Sequence, residues 1–312
     1  MKIWDFIHSR LKNNIDIVLL LVIDNQGSSP GRKGFKMALA EDGEMEGSIG
    51  GGLMEFNMVE MAKKQLLRSD GIFLKRQKHS AENHPDSSGM ICSGSQVIAF
   101  YPINASQLSL IEKIKDAKGG ELHFDEKGFR FVDEVSSDQK YVSTLNKEDS
   151  WLLTEQLGLE DYLYIFGSGH VSVAVSQLFR LLDFEVVVLD NRDENLPTFI
   201  GNQYASSKQI IDFDEAAQYI PEGDNIYVVI MTFSHNSDQK VLRLLIDKKI
   251  KYLGMMASKK KRASIYKQLN EEGISSEQLS HVDSPIGIQI NSQTPAEIAV
   301  SIAAKIISVK NS

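Results

Sequence analysis

A strand, a glycine turn, a helix and a second strand follow one another near the middle of the sequence. The apolar run Tyr162–Phe166 leads into Gly167-Ser168-Gly169, and a second apolar run at 186–189 ends at Asp190. Such a unit directs bare backbone N–H groups and a helix N-terminus toward one point, which suits a phosphate or pyrophosphate group. This order predicts a Rossmann-like unit that binds a nucleotide or another phosphate-bearing ligand.

Individual positions of this unit have separate expected roles. Gly167 permits the tight turn, and Gly169 allows a ligand to approach the main chain. Asp190 falls where an acid accepts a hydrogen bond from a ribose hydroxyl, whereas the nearby Arg192 could instead meet a 2′-phosphate. The candidate ligand contacts in this unit are Gly167, Gly169, His170, Val171, Asp190 and Arg192.

The rest of the second half keeps alternating strand and helix patterns. Strands are predicted at 226–231 and 252–256, each followed by a helical pattern, the first from Asp238 and the second from Lys259. A final helix has Thr294 as its expected N-cap. Alternation of this kind predicts a doubly wound parallel sheet.

The first half has a different pattern, typical of an α+β domain. It predicts a helix near 2–12, a buried strand at 17–23 and a hairpin turning at Asp42-Gly43. A polar, charged stretch separates it from the second half. The predicted divisions are an N-terminal domain at 1–110, a connecting segment at 111–155 and a C-terminal Rossmann-like domain at 156–312.

Composition limits the class of protein. The chain has 312 residues, 42% of them apolar, which is enough for a substantial core. A net charge of −8 argues against nonspecific binding to nucleic acids or membranes, and the longest apolar run, at 17–23, is too short to span a bilayer. A single cysteine excludes an internal disulfide framework. We therefore expect a cytoplasmic protein without nucleic-acid or membrane partners.

The N-terminal half contains a second glycine-rich loop and the single cysteine. Gly50, Gly51 and Gly52 are a costly choice for a simple turn, so we expect close approach of a ligand or another backbone segment. Glu55, in the helix that follows, is either a ligand contact or a surface carboxylate favoured by the helix dipole. Cys92 lies beside a glycine-containing turn and is either a reactive thiol or a buried small side chain.

Taken together, these segments resemble the XdhC/CoxI family, which comprises maturation factors for molybdenum hydroxylases such as xanthine dehydrogenase. The similar segments are residues 27–32, 34–37, 47–52 with Glu55, Cys92 with Gly94, 165–171, 190–192, 254–262, 285–287 and 294–299. Two segments depart from the family pattern. Ser93 replaces a glycine after the cysteine, and Thr232-Phe233-Ser234-His235 replaces Thr-His-Asp-His.

The resemblance implies an accessory factor rather than an enzyme. It implies binding of the molybdenum cofactor (molybdopterin, alone or as a dinucleotide), protection during sulfuration by a cysteine desulfurase, and insertion into a client hydroxylase. Cys92 becomes the leading molybdenum contact. His235 is expected to bind ligand or to cap its helix. Ser258 and Lys259 are candidate cofactor contacts, since the cations of the segment from Ser258 to Arg262 either meet an anion or are solvated. We also expect a homodimer.

Two other functions remain open from the sequence. An NAD(P)-dependent oxidoreductase would use the same C-terminal motif, with His170 or His235 as acid or base. It leaves the N-terminal glycine loop and Cys92 without a role. A binding module that senses a nucleotide and docks another protein fits every pattern in the chain. Tight binding of molybdopterin separates the first function from both of these.

Overall fold

The computed structural model describes residues 2–68, 71–78, 94–137, 139–147 and 150–312. These residues form two compact units, residues 1–159 and 160–312. The first unit is α+β and the second is a Rossmann-like α/β unit, as the sequence predicts.

The first unit is built around an antiparallel sheet of five strands in its described part. The elements of this part are α1 (Lys2–Lys12), β1 (Ile17–Gln26), β2 (Lys36–Ala40), β3 (Met45–Gly47), α2 (Gly52–Arg68), β4 (Phe73–Lys78) and β5 (Ser95–Ile103). The strand order is β3-β2-β1-β5-β4, with the predicted hairpin at Asp42-Gly43 joining β2 and β3.

Strand β1 is apolar on both faces, and each face has its own cover. Val18 and Leu20 pack with Met54 and Met58 of α2 in one cluster. The alternate residues of β1 point to the other face and join a second cluster with α1. Because successive side chains of a strand point to opposite sides, an unbroken apolar run requires burial on both. This explains why the strand at 17–23 is so readily predicted.

The segment at 111–155, which we expected to be a connection, is folded. It contributes most of helix α3 (Leu108–Asp116) and a four-stranded antiparallel sheet in the described residues, with strand order β7-β6-β9-β8. Its apolar side chains join the same core cluster as α1. The strands are β6 (Glu121–Asp125), β7 (Gly128–Val132), β8 (Tyr141–Lys147) and β9 (Ser150–Gln156).

The second unit is a parallel sheet with strand order β12-β11-β10-β13-β14 in the described chain. The chain moves from the central strand to one side and then returns to the other, which is the doubly wound arrangement. Its elements are β10 (Tyr162–Phe166), α4 (His170–Leu181), β11 (Glu185–Asp190), α5 (Pro197–Ile200), β12 (Ser207–Ile210), β13 (Gly223–Ile230), α6 (His235–Leu245), β14 (Ile250–Met255), α7 (Lys259–Glu271), α8 (Ser276–Ser280) and α9 (Pro295–Lys310).

Helices cover both faces of this sheet. Helices α4 and α9 pack on one face through residues such as Phe179 and Ile302, and α6 and α7 pack on the other through Val241 and Ile265. Thr294 caps α9 as predicted, with a reciprocal capping box to Glu297. None of the helices in the described ranges is long and apolar enough to cross a membrane.

Candidate functional site

The carboxyl edge of the parallel sheet brings three helix N-termini together. Strand β10 lies between β11 and β13, so the chain switches direction between β10 and β13. The loops after these two strands lead directly into α4 and α6, and the loop after β14 leads into α7. A crevice at such a switch point is the usual ligand site of a doubly wound sheet. The predicted residues after β10, β11, β13 and β14 therefore share one edge.

The two glycines of the turn after β10 differ in whether a larger residue could replace them. Gly167 has a φ of +106°, and a Cβ there would lie 2.4 Å from the carbonyl oxygen of Met231. Only glycine fits this conformation without strain. Gly169 has an ordinary φ of −74°, and a Cβ there would have no neighbour within 4 Å. Gly167 thus serves the turn, whereas Gly169 borders open space.

Helix α4 begins with its N–H groups uncapped by any side chain. Gly169 is the N-cap residue and has no side chain to accept from the first turn. His170 is exposed at the first helical position, and Val171 packs its side chain against the core, which leaves only its backbone toward a ligand. Ser172 is fully buried, as close packing of the helix on the sheet requires. These features fit an anion site.

Asp190, the expected ribose contact, is surrounded by donors from the protein itself. Its side chain is 1% exposed, and it accepts hydrogen bonds from the Ser168 N–H at 2.7 Å and the Ser168 hydroxyl at 2.6 Å. Arg192 donates from its backbone N–H, Nε and Nη2, at 3.0, 3.0 and 2.7 Å. Five protein donors therefore surround this carboxylate. It fixes the glycine turn and the Arg192 guanidinium in place.

These contacts also explain the acidity of Asp190. Burial raises the pKa of this carboxyl, but hydrogen bonds from Arg192 and Ser168 oppose burial and hold the pKa at about 2. The group is therefore ionised at neutral pH.

The loop after β13 is held by a second buried acid. Asp238 is fully buried, accepts from the N–H and hydroxyl of Thr232, and pairs with Lys261 of α7. The cap of α6 is Ser234, whose hydroxyl accepts from the Ser237 N–H at 3.0 Å. His235 is the next residue and does not cap the helix, which leaves ligand binding as its proposed role.

The cations at the start of α7 divide into paired and unpaired side chains. Ser258 caps the helix, Lys261 pairs with Asp238, and Arg262 donates to the Ser284 carbonyl at 2.6 Å. Lys259 is exposed and has no ion pair with the residues that the structure describes. It lines a cleft of about 420 Å³ formed mainly by residues 285–292. Of the candidates in this segment, Lys259 remains free to meet an anion.

The N-terminal glycine loop has its own internal acceptor. Gly50, Gly51 and Gly52 have φ values of +127°, +76° and +69°. One oxygen of Glu55 accepts from the Ser48 hydroxyl and from the N–H groups of Ile49 and Gly51, at 2.7, 2.9 and 3.1 Å. Glu55 therefore stabilises the loop from within. A Cβ on Gly51 would meet nothing within 4 Å, so this side of the loop is open.

Gln96, which the sequence did not single out, joins two N-terminal loops. Its buried amide accepts from the Ser29 hydroxyl and the Gly31 N–H, and donates to the Ile49 carbonyl. A polar residue at the start of an otherwise apolar strand is the signal that could have identified it. Gly94 lies against Ser28 and Ser29. Cys92 lies outside the described residues, so its role stays a prediction.

We expect Glu55→Gln to weaken the N-terminal loop, because a neutral amide accepts hydrogen bonds less strongly than a carboxylate. The loss should be about 1 kcal/mol in the free energy of unfolding. Urea unfolding measures it, with Glu60→Gln as the control because Glu60 lies on the same helix and, among the residues that the structure describes, pairs with Lys63 alone. Equal losses in the two variants would remove the proposed role of Glu55.

The described ranges contain no group of three His, Cys, Asp or Glu side chains that could hold a metal ion. At the sheet edge these residues place the uncapped N-terminus of α4 beside the Arg192 guanidinium, which donates to the Ser168 hydroxyl. This arrangement can bind and orient a phosphate-bearing ligand.

Two family models match the chain. The model of the XdhC Rossmann domain matches residues 163–306, and the model of the XdhC and CoxI family matches residues 11–74. Together they match two thirds of the chain. The chain belongs to the XdhC/CoxI family. The first match covers the sheet edge described above, and the second includes the glycine loop with Glu55.

The curated relatives of this XdhC/CoxI protein differ in length. The chain is 26% identical to the uncharacterized protein YqeB of Escherichia coli (strain K12), covering 96% of this chain but 44% of YqeB. It is 21% identical to a protein of Bacillus subtilis (strain 168) named as a probable xanthine dehydrogenase subunit, covering 96% of this chain and 95% of that protein. It is also 21% identical to the molybdenum cofactor insertion chaperone PaoD of E. coli (strain K12), covering 94% of this chain and 83% of PaoD.

The XdhC/CoxI fold also occurs in a solved structure. A crystal structure described as a xanthine dehydrogenase from Bacillus halodurans aligns with a TM-score of 0.74 and 22% identity. The alignment covers 99% of this chain and 95% of that one. At this identity the likeness shows the fold.

Proposed function

We propose that this protein binds the molybdenum cofactor and assists the maturation of a molybdenum hydroxylase. The observation that carries the proposal is an uncapped helix N-terminus at the switch point of a chain that belongs to the XdhC/CoxI family. The name of PaoD, a molybdenum cofactor insertion chaperone, supports it. So does the name of the B. subtilis relative, which refers to xanthine dehydrogenase.

The residues of the sheet edge fit the phosphate end of such a cofactor. The N–H groups of the first turn of α4 have no side-chain acceptor, and Gly169 leaves the space beside them open. Phosphate groups bind at such N-termini because the unpaired N–H groups and the helix dipole both favour negative charge. In the proposal these groups hold the phosphate, and His235 and Lys259, the first residues of α6 and α7, would border the ligand.

The finer steps are part of the same proposal. Cys92 would contact molybdenum or the transferred sulfur, because a thiolate is a soft ligand. A cysteine desulfurase would supply the sulfur, and a client hydroxylase would receive the sulfurated cofactor from a homodimer of this protein in the cytoplasm. Gly50, Gly51 and Gly52 would border the ligand in the N-terminal unit, with Glu55 shaping their loop.

An NAD(P)-dependent oxidoreductase is the second candidate. The strand order and the glycine turn favour it, because this arrangement binds dinucleotides in many enzymes. The five hydrogen bonds to Asp190 count against it, since the acid that would accept from the ribose is already occupied by Ser168 and Arg192.

Anaerobic loading with the molybdenum cofactor tests the proposal. We expect the purified protein to retain the cofactor stoichiometrically, measured by fluorescence of the released and oxidised pterin. Gly169→Ala should weaken retention by about tenfold, because a methyl group obstructs the N–H groups of α4. Gly119→Ala is the matched control, since a Cβ there also has no neighbour within 4 Å.

Two further arms separate the candidates. Cys92→Ala tests the thiol, and we expect it to lower retention of the cofactor while leaving the fold unchanged. NADH and NADPH serve as competitors. Absence of cofactor retention by the wild-type protein, together with tight binding of either nucleotide, would refute the maturation role in favour of the oxidoreductase.

A further inference from the structure

Phe233 presents an exposed aromatic ring at the switch point. It lies in the loop between β13 and α6, and 60% of its surface is exposed. Its sequence neighbours Thr232 and Ser234 are polar, so the ring is not part of a continuous apolar run. An isolated exposed phenylalanine needs no explanation by itself. Here a guanidinium lies against the ring, and the backbone on either side of Phe233 is hydrogen-bonded.

A fixed guanidinium lies against this ring. The Arg192 Cζ atom is 5.2 Å from the centroid of Phe233, within the range of a cation–π contact. Arg192 is itself held by Asp190 and donates to the Ser168 hydroxyl at 3.2 Å. The ring, the guanidinium and the glycine turn therefore form one connected network across the loops after β10, β11 and β13.

The backbone beside the ring is also fixed. The Thr232 N–H and hydroxyl both donate to Asp238, at 2.9 and 2.5 Å, and Ser234 caps α6. Because the loop backbone around Phe233 is already fixed, little backbone freedom is lost when a ligand binds, which favours affinity.

We propose that Phe233 is a stacking surface for the planar heteroaromatic ring of a phosphate-bearing ligand, such as a pterin or a purine. The proposal rests on the proposed function, since it identifies how the same crevice binds the ring of its ligand. Arg192 supports the ring from one side, and the ligand ring stacks on the exposed part. The N–H groups of α4, joined to Phe233 through Arg192 and Ser168, take the phosphate. Stacking on aromatic side chains is a common way for proteins to bind heteroaromatic rings.

Substitutions that separate planarity from hydrophobicity test the proposal. The probes are the molybdenum cofactor loaded anaerobically, GMP, and ribose 5-phosphate as an anion without a heteroaromatic ring. Phe233→Leu keeps an apolar side chain but removes the ring, and it should weaken binding of the cofactor and GMP by roughly 5- to 150-fold. Ribose 5-phosphate should bind the variant and the wild type equally. Phe233→Tyr and Phe233→Trp should keep affinity within about threefold.

The matched control is Leu181→Ala, which removes an exposed apolar side chain at the far end of α4. This variant should bind the cofactor and GMP as tightly as the wild type does. If wild type binds the cofactor and Phe233→Leu binds it equally well, the stacking proposal is overturned while the maturation role stands. If wild type binds GMP but not the cofactor, and Phe233→Leu loses GMP, stacking holds and the maturation role fails. Failure of wild type to bind either ring-bearing probe overturns both.

Discussion

Gly167→Ala should destabilise the Rossmann-like unit by about 3 kcal/mol or more, because alanine meets both a disfavoured φ and a backbone clash. The φ of +106° is rare for residues with a Cβ, and the added atom would lie 2.4 Å from the Met231 carbonyl oxygen. That oxygen belongs to the backbone beyond β13, so relief of the clash requires the two strand ends to separate. Thermal and urea unfolding followed by circular dichroism measure the loss.

Gly169→Ala is the matched comparison two residues away. Its φ is ordinary and its Cβ would face open space, so the loss should stay below about 1 kcal/mol. The substitution at Gly167 should therefore lower stability, whereas the substitution at Gly169 should weaken ligand binding. A Gly167→Ala protein as stable as Gly169→Ala would show that the turn does not need the backbone conformation described here.

Three acids of this protein use their charge to hold loops. Glu55 accepts from the N-terminal glycine loop, Asp190 from the turn after β10, and Asp238 from the loop after β13. Each fixes backbone N–H groups that would otherwise be unpaired. In the second unit, by contrast, the N–H groups in the first turn of α4 have no side-chain acceptor. Fixed neighbouring loops and uncapped donors together are what the proposed phosphate site requires.

The predictable part of the fold follows from strong periodic signals. The strand, turn, helix and strand around Gly167 and Gly169 were predicted because apolar runs and glycines define them locally, and the cap at Thr294 was predicted from its capping box. The sheet formed by residues 111–155 was not predicted, because its strands are short and keep one polar face. Their apolar residues, such as Phe124 and Trp151, contact Tyr101 of β5, which lies more than 20 residues earlier in the chain. Such contacts leave little trace in local sequence.

In the candidate site, too, local patterns were predictable and contacts between distant residues were not. The sequence predicted that the candidate residues of the second unit follow neighbouring strands of one sheet, and the structure has that strand order. It assigned Asp190 to a ribose because an acid at the end of the second strand often has that role. In the folded protein Ser168 and Arg192 donate hydrogen bonds to Asp190. Both residues are visible in the sequence, but the sequence does not show that they contact this carboxylate. Gln96 and the Asp238–Lys261 pair join positions far apart in the chain. Only the folded structure brings those partners together.

Asp190→Asn should destabilise the protein by about 2 kcal/mol at pH 7, and this difference should vanish in acid. The pKa of Asp190 is about 2 in the folded protein against an ordinary value of 3.8, because hydrogen bonds from Arg192 and Ser168 outweigh the effect of burial. A depressed pKa means that the carboxylate contributes its full stability above the ordinary value of 3.8. That contribution is lost as the pH falls through about 2, when the folded protein takes up the proton.

Urea unfolding of both proteins between about pH 7 and about pH 2.5 measures this change. The control is Glu194→Gln in the same loop, whose side chain is exposed, so its difference from wild type should stay small throughout. The gap between wild type and Asp190→Asn should narrow toward the acid end of this range, because a protonated carboxyl and an amide then make similar neutral contacts. A gap that keeps its neutral-pH size in acid would mean that charge is not what fixes the glycine turn. The side chain's shape would then be the property that holds Ser168 and Arg192.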